Sequence, residues 1–323
     1  MENLDNFSFL DAKPIQNSFA DKIIEGLKKK NKNLPSSLFY DEKGIGFFNK
    51  ITSTTAYYPT RTEINIYQNQ SKLIANELKQ DSVLVEFGPG DMSKIRYLLK
   101  DIKPKKYVGI DISQEEVKNE GTKLANEFPW VHVTSICDNF YNENHITVEF
   151  LNSIQQEPKI GFFPGSTIGN IEPADAKTLL IKLKNLLGSK SKFIVGVDLL
   201  KPVKIIENAY NDPEKYTEQF NLNILKRINK DFNANFNTDM FEHYAFFNDR
   251  SSRVEMHLKS KKAHNVIVSN TKIEFKKGET IHTENSYKYS EEKFIDVCEA
   301  ANLNCSMVFK DQKNWFGVFL LEG

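Results

Sequence analysis

A chain of 323 residues is long enough for one large domain or two intimate ones around a sizeable core. Its 43 basic and 43 acidic residues cancel to a formal net charge of zero, which removes the bulk electrostatic basis for gripping a nucleic acid or an anionic membrane. No stretch reaches the roughly 18 consecutive apolar residues of a spanning helix, the amino terminus lacks a basic-then-apolar leader, and Cys137, Cys298 and Cys305 form no C-x-x-C pair, so a cytoplasmic protein with reduced, buried thiols is expected.

In chain order, Phe19, Ile23, Ile24 and Leu27 are spaced for a short amphipathic helix within the polar stretch 1–34, ending in Lys28-Lys29-Lys30. Two aromatic clusters follow on loops flanking a short helix: Leu38-Phe39-Tyr40-Asp41 and Ala56-Tyr57-Tyr58-Pro59-Thr60-Arg61. Their tyrosine hydroxyls need partners, so these rings either pack or wall a small polar ligand. After Pro59 a helix is predicted from about 62 to 78, then an apolar strand, Val83-Leu84-Val85-Glu86-Phe87. Strand and helix alternate from there: strand 106–113, helix 114–128, strand 131–137, a further helix, strand 159–163, helix 173–187 and strand 192–199. That rhythm over 62–200 predicts an α/β fold, a Rossmann-like parallel sheet covered on both faces, with ligands at the carboxyl ends of its strands.

From Lys201 the rhythm changes. Residues 205–231 read as two helical segments, and strand-like pieces follow at 241–247, 253–258, 265–268 and 273–275, with Asn248-Asp249-Arg250-Ser251 as a hairpin loop. This is an antiparallel insertion. Helix 290–301 and strands near 305–310 and 315–321 then match a parallel sheet finished by an antiparallel hairpin. The six histidines show no H-x-x-x-H pair or carboxylate cluster at ligand spacing, so no metal is expected.

The sharpest chemical signal is the turn Glu86-Phe87-Gly88-Pro89-Gly90, a glycine turn between a strand and a helix start. Glycine admits close backbone approach and positive φ, and the following helix start offers unpaired N–H groups. Asp111 ends the next strand, about 20 residues on, where a nucleoside ribose is bound in doubly wound sheets. The third glycine of a diphosphate-binding fingerprint is missing, because Asp91, Met92 and Ser93 follow Gly90. A nucleoside ligand without a diphosphate, such as S-adenosylmethionine, needs no such glycine. The alternatives are a purely structural turn with a solvent-facing Asp111, a nicotinamide-dependent oxidoreductase on the same sheet, and a non-catalytic nucleoside-binding protein.

Several separated motifs resemble one family. Phe39-Tyr40-Asp41, Tyr57-Tyr58-Pro59-Thr60-Arg61, Glu86-x-Gly88-x-Gly90, Gly165-Ser166-Thr167-Ile168-Gly169-Asn170, Phe241-Glu242-His243, Val254-Glu255-Met256 and Thr283-Glu284-x-Ser286 stand in the order and spacing of the histidine-specific Nα-methyltransferases of ergothioneine biosynthesis. The match runs from about residue 36 to the carboxyl terminus. The resemblance implies a class I methyltransferase sheet (62–200 and 287–323) with a smaller α+β substrate-binding domain (1–61 and 201–286), acting as a cytoplasmic monomer. It further implies trimethylation of L-histidine to hercynine by S-adenosylmethionine, leaving S-adenosylhomocysteine. The family also holds fungal enzymes that methylate a prenylated tryptophan, so another aromatic amino acid is the alternative substrate.

By the same matching, Gly88, Gly90, Lys94, Asp111, Asn139 and Phe140 are expected at the cofactor, with Lys94 near its methionine carboxylate. Asn139 is a departure, since the family commonly carries Gly-Asp-Phe where this chain reads Asp138-Asn139-Phe140. Asn139 keeps donor and acceptor capacity at an adenine edge, and Asp138 is the other candidate. Gly165, Asn170 and Tyr210 are expected near the substrate carboxylate, and Tyr57, Met256, Glu284 and Ser286 around the imidazole. Tyr40 and Tyr57 are the catalytic candidates near the amine. A carboxylate facing a ring N–H is a charge-assisted contact suited to imidazole.

Overall fold

The computed structural model describes residues 4–12, 19–78, 81–141 and 145–323. Its elements run β1 (Phe7–Asp11), α1 (Phe19–Lys28), β2 (Lys32–Asn33), α2 (Glu42–Ser53), α3 (Tyr58–Asn76), β3 (Val83–Phe87), α4 (Arg96–Ile102) and β4 (Lys106–Asp111). Next come α5 (Gln114–Glu127), β5 (His132–Cys137), α6 (His145–Ser153), β6 (Lys159–Phe163), α7 (Pro173–Leu187) and β7 (Lys192–Asp198). The chain continues through α8 (Val203–Tyr210), α9 (Tyr216–Asp231), β8 (Phe241–Asn248), β9 (Arg253–Ser260), β10 (His264–Val268) and β11 (Thr271–Phe275). It closes with β12 (Thr280–Tyr287), α10 (Glu291–Ala300), β13 (Asn304–Lys310) and β14 (Phe316–Glu322). Two compact units result, one of Met1–Pro14, Pro59–Leu200 and Tyr289–Gly323, the other of Ile15–Tyr58 and Lys201–Lys288.

The first unit is built on an eight-stranded sheet in the order β1-β5-β4-β3-β6-β7-β14-β13. All neighbours pair in parallel except β14, which runs antiparallel to both β7 and β13. The central strands β3 and β6 are buried from end to end, as continuous apolar runs covered on both faces must be. Leu84, Tyr107, Val133, Phe162, Ile194 and Val318 are fully buried core members, each aliphatic or aromatic side chain worth about 1.5–3 kcal/mol of transfer free energy. The chain works outward from β3 through β4 and β5, then returns to its other side with β6 and β7, so the strand order reverses at β3. The glycine turn leaves β3 at that reversal, where doubly wound sheets open a crevice.

Two expectations are corrected. The amino-terminal residues do not all belong with the substrate-binding segment, because β1 pairs in parallel with β5, from Phe7 against Val133 to Asp11 against Cys137, and extends the main sheet. Helix α3 begins at Tyr58, not near residue 62, so Pro59 sits in its first turn, where no intrahelical acceptor awaits its missing N–H. The cysteines are all free; Cys137 and Cys298 are buried as expected, and Cys305 is half-buried.

The second unit carries a four-stranded sheet in the order β2-β12-β9-β8 and a separate β10–β11 hairpin. Strand β12 is antiparallel to β9 and parallel to the short β2. The pairing of β12 with β9 slips between His282 and Glu284: His282 faces His257, while Glu284 faces Met256. Thr283 is the extra residue of a β-bulge, buried, with its hydroxyl donating to Asn221 Oδ1 at 2.8 Å.

Candidate active site

In the first unit, Gly88 (φ +70°) and Gly90 (φ +51°) take left-handed conformations that carry the chain from β3 over the sheet edge. The Gly88 N–H donates to the Ile110 carbonyl at 2.9 Å, tying the turn to β4. At the end of β4, the half-buried Asp111 carboxylate accepts from the Gly90 N–H at 3.3 Å and the Ser113 N–H at 3.0 Å. Burial pushes its pKa upward against the pull of those N–H bonds. Each carboxylate oxygen retains further acceptor capacity, as a pair of ribose hydroxyls requires.

A second anchor was not legible in the sequence. Glu63, on α3, is completely buried and accepts from the Tyr67 hydroxyl at 2.9 Å and from the Gly165 N–H at 2.9 and 3.0 Å. Its carboxylate also holds the Lys94 ammonium at 2.9 Å. Gly165 lies in the left-handed region (φ +80°), and a Cβ there would stand 2.8 Å from Lys94 Nζ. The left-handed backbone favours glycine there, and the ammonium is held beside the Gly165-to-Asn170 turn. Asn170 itself is half-buried at the end of that turn.

Beneath the glycine turn Glu86 is fully buried, and its pKa is pushed up to about 8, chiefly by desolvation. Tyr107 donates to Glu86 Oε2 at 2.6 Å, and Oε1 has no partner among the described residues. Phe140 packs edge-on against Phe87 and Phe163 at 5.7 and 5.9 Å between ring centroids. A Cβ on Gly88 would lie 3.9 Å from the Phe140 ring. Asp138 is buried, accepting from the Asn139 N–H at 2.6 Å and bonded to the Thr147 hydroxyl. The half-buried Asn139 accepts from the Tyr141 N–H at 3.0 Å. Asp138 is thus engaged in holding the strand end, and Asn139 is the more accessible of the two. A positive-φ glycine turn, a strand-end carboxylate and a fixed ammonium fit a nucleoside joined to an amino acid, and lack the third glycine that a diphosphate would need.

The second unit gathers the other candidates from motifs far apart in sequence. Asp41 caps α2, accepting from the Gly44 N–H at 2.7 Å and from Asn223 of α9 at 2.8 Å, while Phe39 stacks on Phe220 at 4.4 Å. Those two residues fix Tyr40 between them, its ring edge-on to Phe48 and Phe220 at 6.3 and 6.1 Å. Tyr57 meets Phe48 at 6.2 Å and Tyr210 at 6.1 Å. The aromatic row therefore runs Tyr40, Phe48, Tyr57, Tyr210. His243, the last residue of Phe241-Glu242-His243, donates from Nε2 to the Tyr210 carbonyl at 2.9 Å, and its Nδ1 accepts from Asn221 at 2.9 Å. It fastens the end of α8, and so Tyr210, to the sheet.

On β12, Glu284 and Ser286 share one face, with Met256 opposite Glu284. The Tyr210 hydroxyl donates to Ser286 Oγ at 2.7 Å. Lys288, unrecognised from sequence, is 2% exposed and donates from Nζ to Ser286 Oγ at 2.8 Å and to the Tyr210 hydroxyl at 2.9 Å, lying 4.9 Å from the Tyr210 ring centre. Burial raises the Glu284 pKa to about 7, opposed by Lys288. Its period-two spacing from Ser286 was the one available signal for Lys288. The fold thus brings together Tyr40, Tyr57, Tyr210, Met256, Glu284 and Ser286 in this unit, whereas Gly165 and Asn170 belong to the first.

Comparison with known proteins identifies the family. A family model described as histidine-specific methyltransferase, SAM-dependent, matches residues 19–323. The histidine N-alpha-methyltransferase of Mycobacterium tuberculosis is 32% identical over 308 residues, covering 92% of both chains. The protein of the same name from Mycolicibacterium smegmatis is 30% identical over 323 residues, covering 97% of each. More distantly, the 4-dimethylallyltryptophan N-methyltransferase of Aspergillus fumigatus is 28% identical over 202 residues, covering 59% of each chain. A sheet reversing at β3, a nucleoside turn without a third glycine, and a family match across both units together make this chain a member of the SAM-dependent, histidine-specific methyltransferases.

Proposed function

We propose that this protein transfers methyl groups from S-adenosylmethionine to the α-amine of L-histidine, giving trimethylated histidine, hercynine, for ergothioneine synthesis. The observation that carries the substrate is the Glu284–Ser286 pair on one face of β12 opposite Met256: an acidic acceptor and a hydroxyl suit an imidazole with one N–H and one lone pair. Relatives named for histidine methylation support it. The protein acts as a cytoplasmic monomer.

The bound cofactor supplies an electrophilic methyl group on a sulfonium. Asp111 would hold its ribose hydroxyls, Lys94 its carboxylate, the backbone of Gly88 and Gly90 its near face, and Asn139 and Phe140 its adenine. Within the first unit Asn170, next to the Gly165 turn, is the candidate for a substrate carboxylate contact; within the second, Tyr210 is the candidate for the same group, and Glu284 and Ser286 fix the ring with Tyr57 and Met256. Holding the amine in line for displacement is the main task, and positioning of this kind is worth roughly 7–11 kcal/mol. The amine must be neutral to attack, whereas an α-amino group titrates near about 8. Tyr40 and Tyr57 orient the water that takes the proton, and with Phe48 present ring faces to the growing cationic head, worth about 0.5–2 kcal/mol.

Mass spectrometry of the chain incubated with S-adenosylmethionine and a panel of free amino acids tests this directly. Mass additions of three methyl groups on histidine, ahead of tryptophan and its derivatives, are expected; a preference for another amino acid would overturn the substrate.

A further inference from the structure

The face of the β8–β9–β12 sheet opposite Glu284 carries a cluster that the sequence pattern conceals. Glu255 and His257 alternate on β9, and His257 pairs directly with His282 across the strands, placing all three side chains on one face. The imidazoles stand 4.8 Å apart between ring centres. One donor atom from each of Glu255, His257 and His282 lies within 4.8 Å of the others, with Glu255 buried and both histidines half-buried.

We propose that Glu255, His257 and His282 form a binding site for a divalent transition metal of the zinc class, distinct from the methyl-transfer machinery and bracing the β9–β12 pairing beside its bulge. A tetrahedral ion with bonds of about 2.0–2.2 Å sets its donors roughly 3.3–3.6 Å apart, so modest rotations of the imidazoles close the cluster on one ion, with water in the fourth position. Glu255 Oε2 and His257 Nε2 already stand 3.1 Å apart.

Glu255 and His282 each have the outer partner that metal sites use for orientation. Glu255 Oε1 is occupied by Arg253 Nε and Nη2 at 2.9 and 2.8 Å and by Asn248 Nδ2 at 2.9 Å, which leaves Oε2 to the cluster. His282 donates from Nε2 to the Glu284 carbonyl at 3.0 Å, so its Nδ1 keeps a lone pair. Imidazole and carboxylate together suit zinc, cobalt and nickel better than magnesium or calcium.

The test uses the full chain, stripped with chelator and titrated with Co²⁺ and then Zn²⁺. One equivalent of Co²⁺ should give the visible bands of a tetrahedral nitrogen–oxygen site without a thiolate charge-transfer band, and Zn²⁺ should displace it and raise the thermal midpoint. His257→Gln and His282→Gln should each weaken uptake by more than the roughly 10–100-fold that losing an outer partner costs, while His132→Gln, on β5 of the other unit, leaves it intact. Absence of these bands in the wild-type chain overturns the site irrespective of how the variants fold. So does uptake that survives both histidine changes in variants whose circular dichroism is native.

Discussion

In the proposed role the half-buried Glu284 accepts a ring N–H, and hydrogen bonds to charged groups of this kind contribute about 1.5–3 kcal/mol. Glu284→Ala is therefore expected to raise the KM for histidine about 10–100-fold and to relax selectivity toward tryptophan. Unchanged histidine KM and turnover would remove Glu284 from the pocket. Glu86 makes a separate prediction through stability. Its folded pKa of about 8 lies above the ordinary 4.5, so the native state binds the proton more tightly than the unfolded chain. Stability should then fall as pH rises from about 4.5 to about 8, with a slope of at most about 1.36 kcal/mol per pH unit from this group. Glu86→Gln, which keeps an acceptor for Tyr107, should flatten that part of a thermal-midpoint profile; a profile of unchanged slope would mean the carboxyl is ionised in the fold. Glu86, Gly88 and Asp111 were visible because strand, turn and next strand are neighbours in sequence. Glu63 and Lys288 were not, because what marks them is a partner dozens of residues away: Gly165 and Lys94 for one, Tyr210 for the other.

Among the elements, those with local periodicity were read almost to their ends: α7 spans Pro173–Leu187 as predicted, and β6 spans Lys159–Phe163. Strand β1 was missed, since Phe7-Ser8-Phe9-Leu10-Asp11 is short and becomes a strand only by pairing with β5. The start of α3 was misplaced because Pro59 was taken to precede the helix, although its first turn accepts proline. This helix also makes a prediction, since its Glu63 links Lys94 to the Gly165 turn. Glu63→Gln should cost about 1.5–3 kcal/mol of stability by removing the charged acceptor, and should raise the KM for S-adenosylmethionine with little change in that for histidine. A lowered thermal midpoint with an unaltered cofactor KM would reduce Glu63 to a packing role.

For the whole molecule, ligand-linked unfolding separates the cofactor classes that this sheet architecture serves. At 100 times its dissociation constant, S-adenosylhomocysteine should add about 2.7 kcal/mol to stability, seen as a raised thermal midpoint, and NAD should add none; stabilisation by NAD instead would point to the oxidoreductase alternative. Each unit is assembled from distant segments, as when Lys32 and Asn33 pair with β12, so the antiparallel insertion was legible as a change of rhythm but not as a set of contacts. The histidine cluster was hidden for the same reason: its donors neighbour one another across strands, not along them. The single surplus residue at Thr283 has a further effect. In an unbroken strand His282 and Glu284 would point the same way; one inserted residue reverses the phase, so a short ribbon presents imidazole on one side and carboxylate on the other. Deleting Thr283 would leave the two as direct neighbours in a regular strand, still on opposite sides, removing only the bulge and its hydroxyl bond to Asn221.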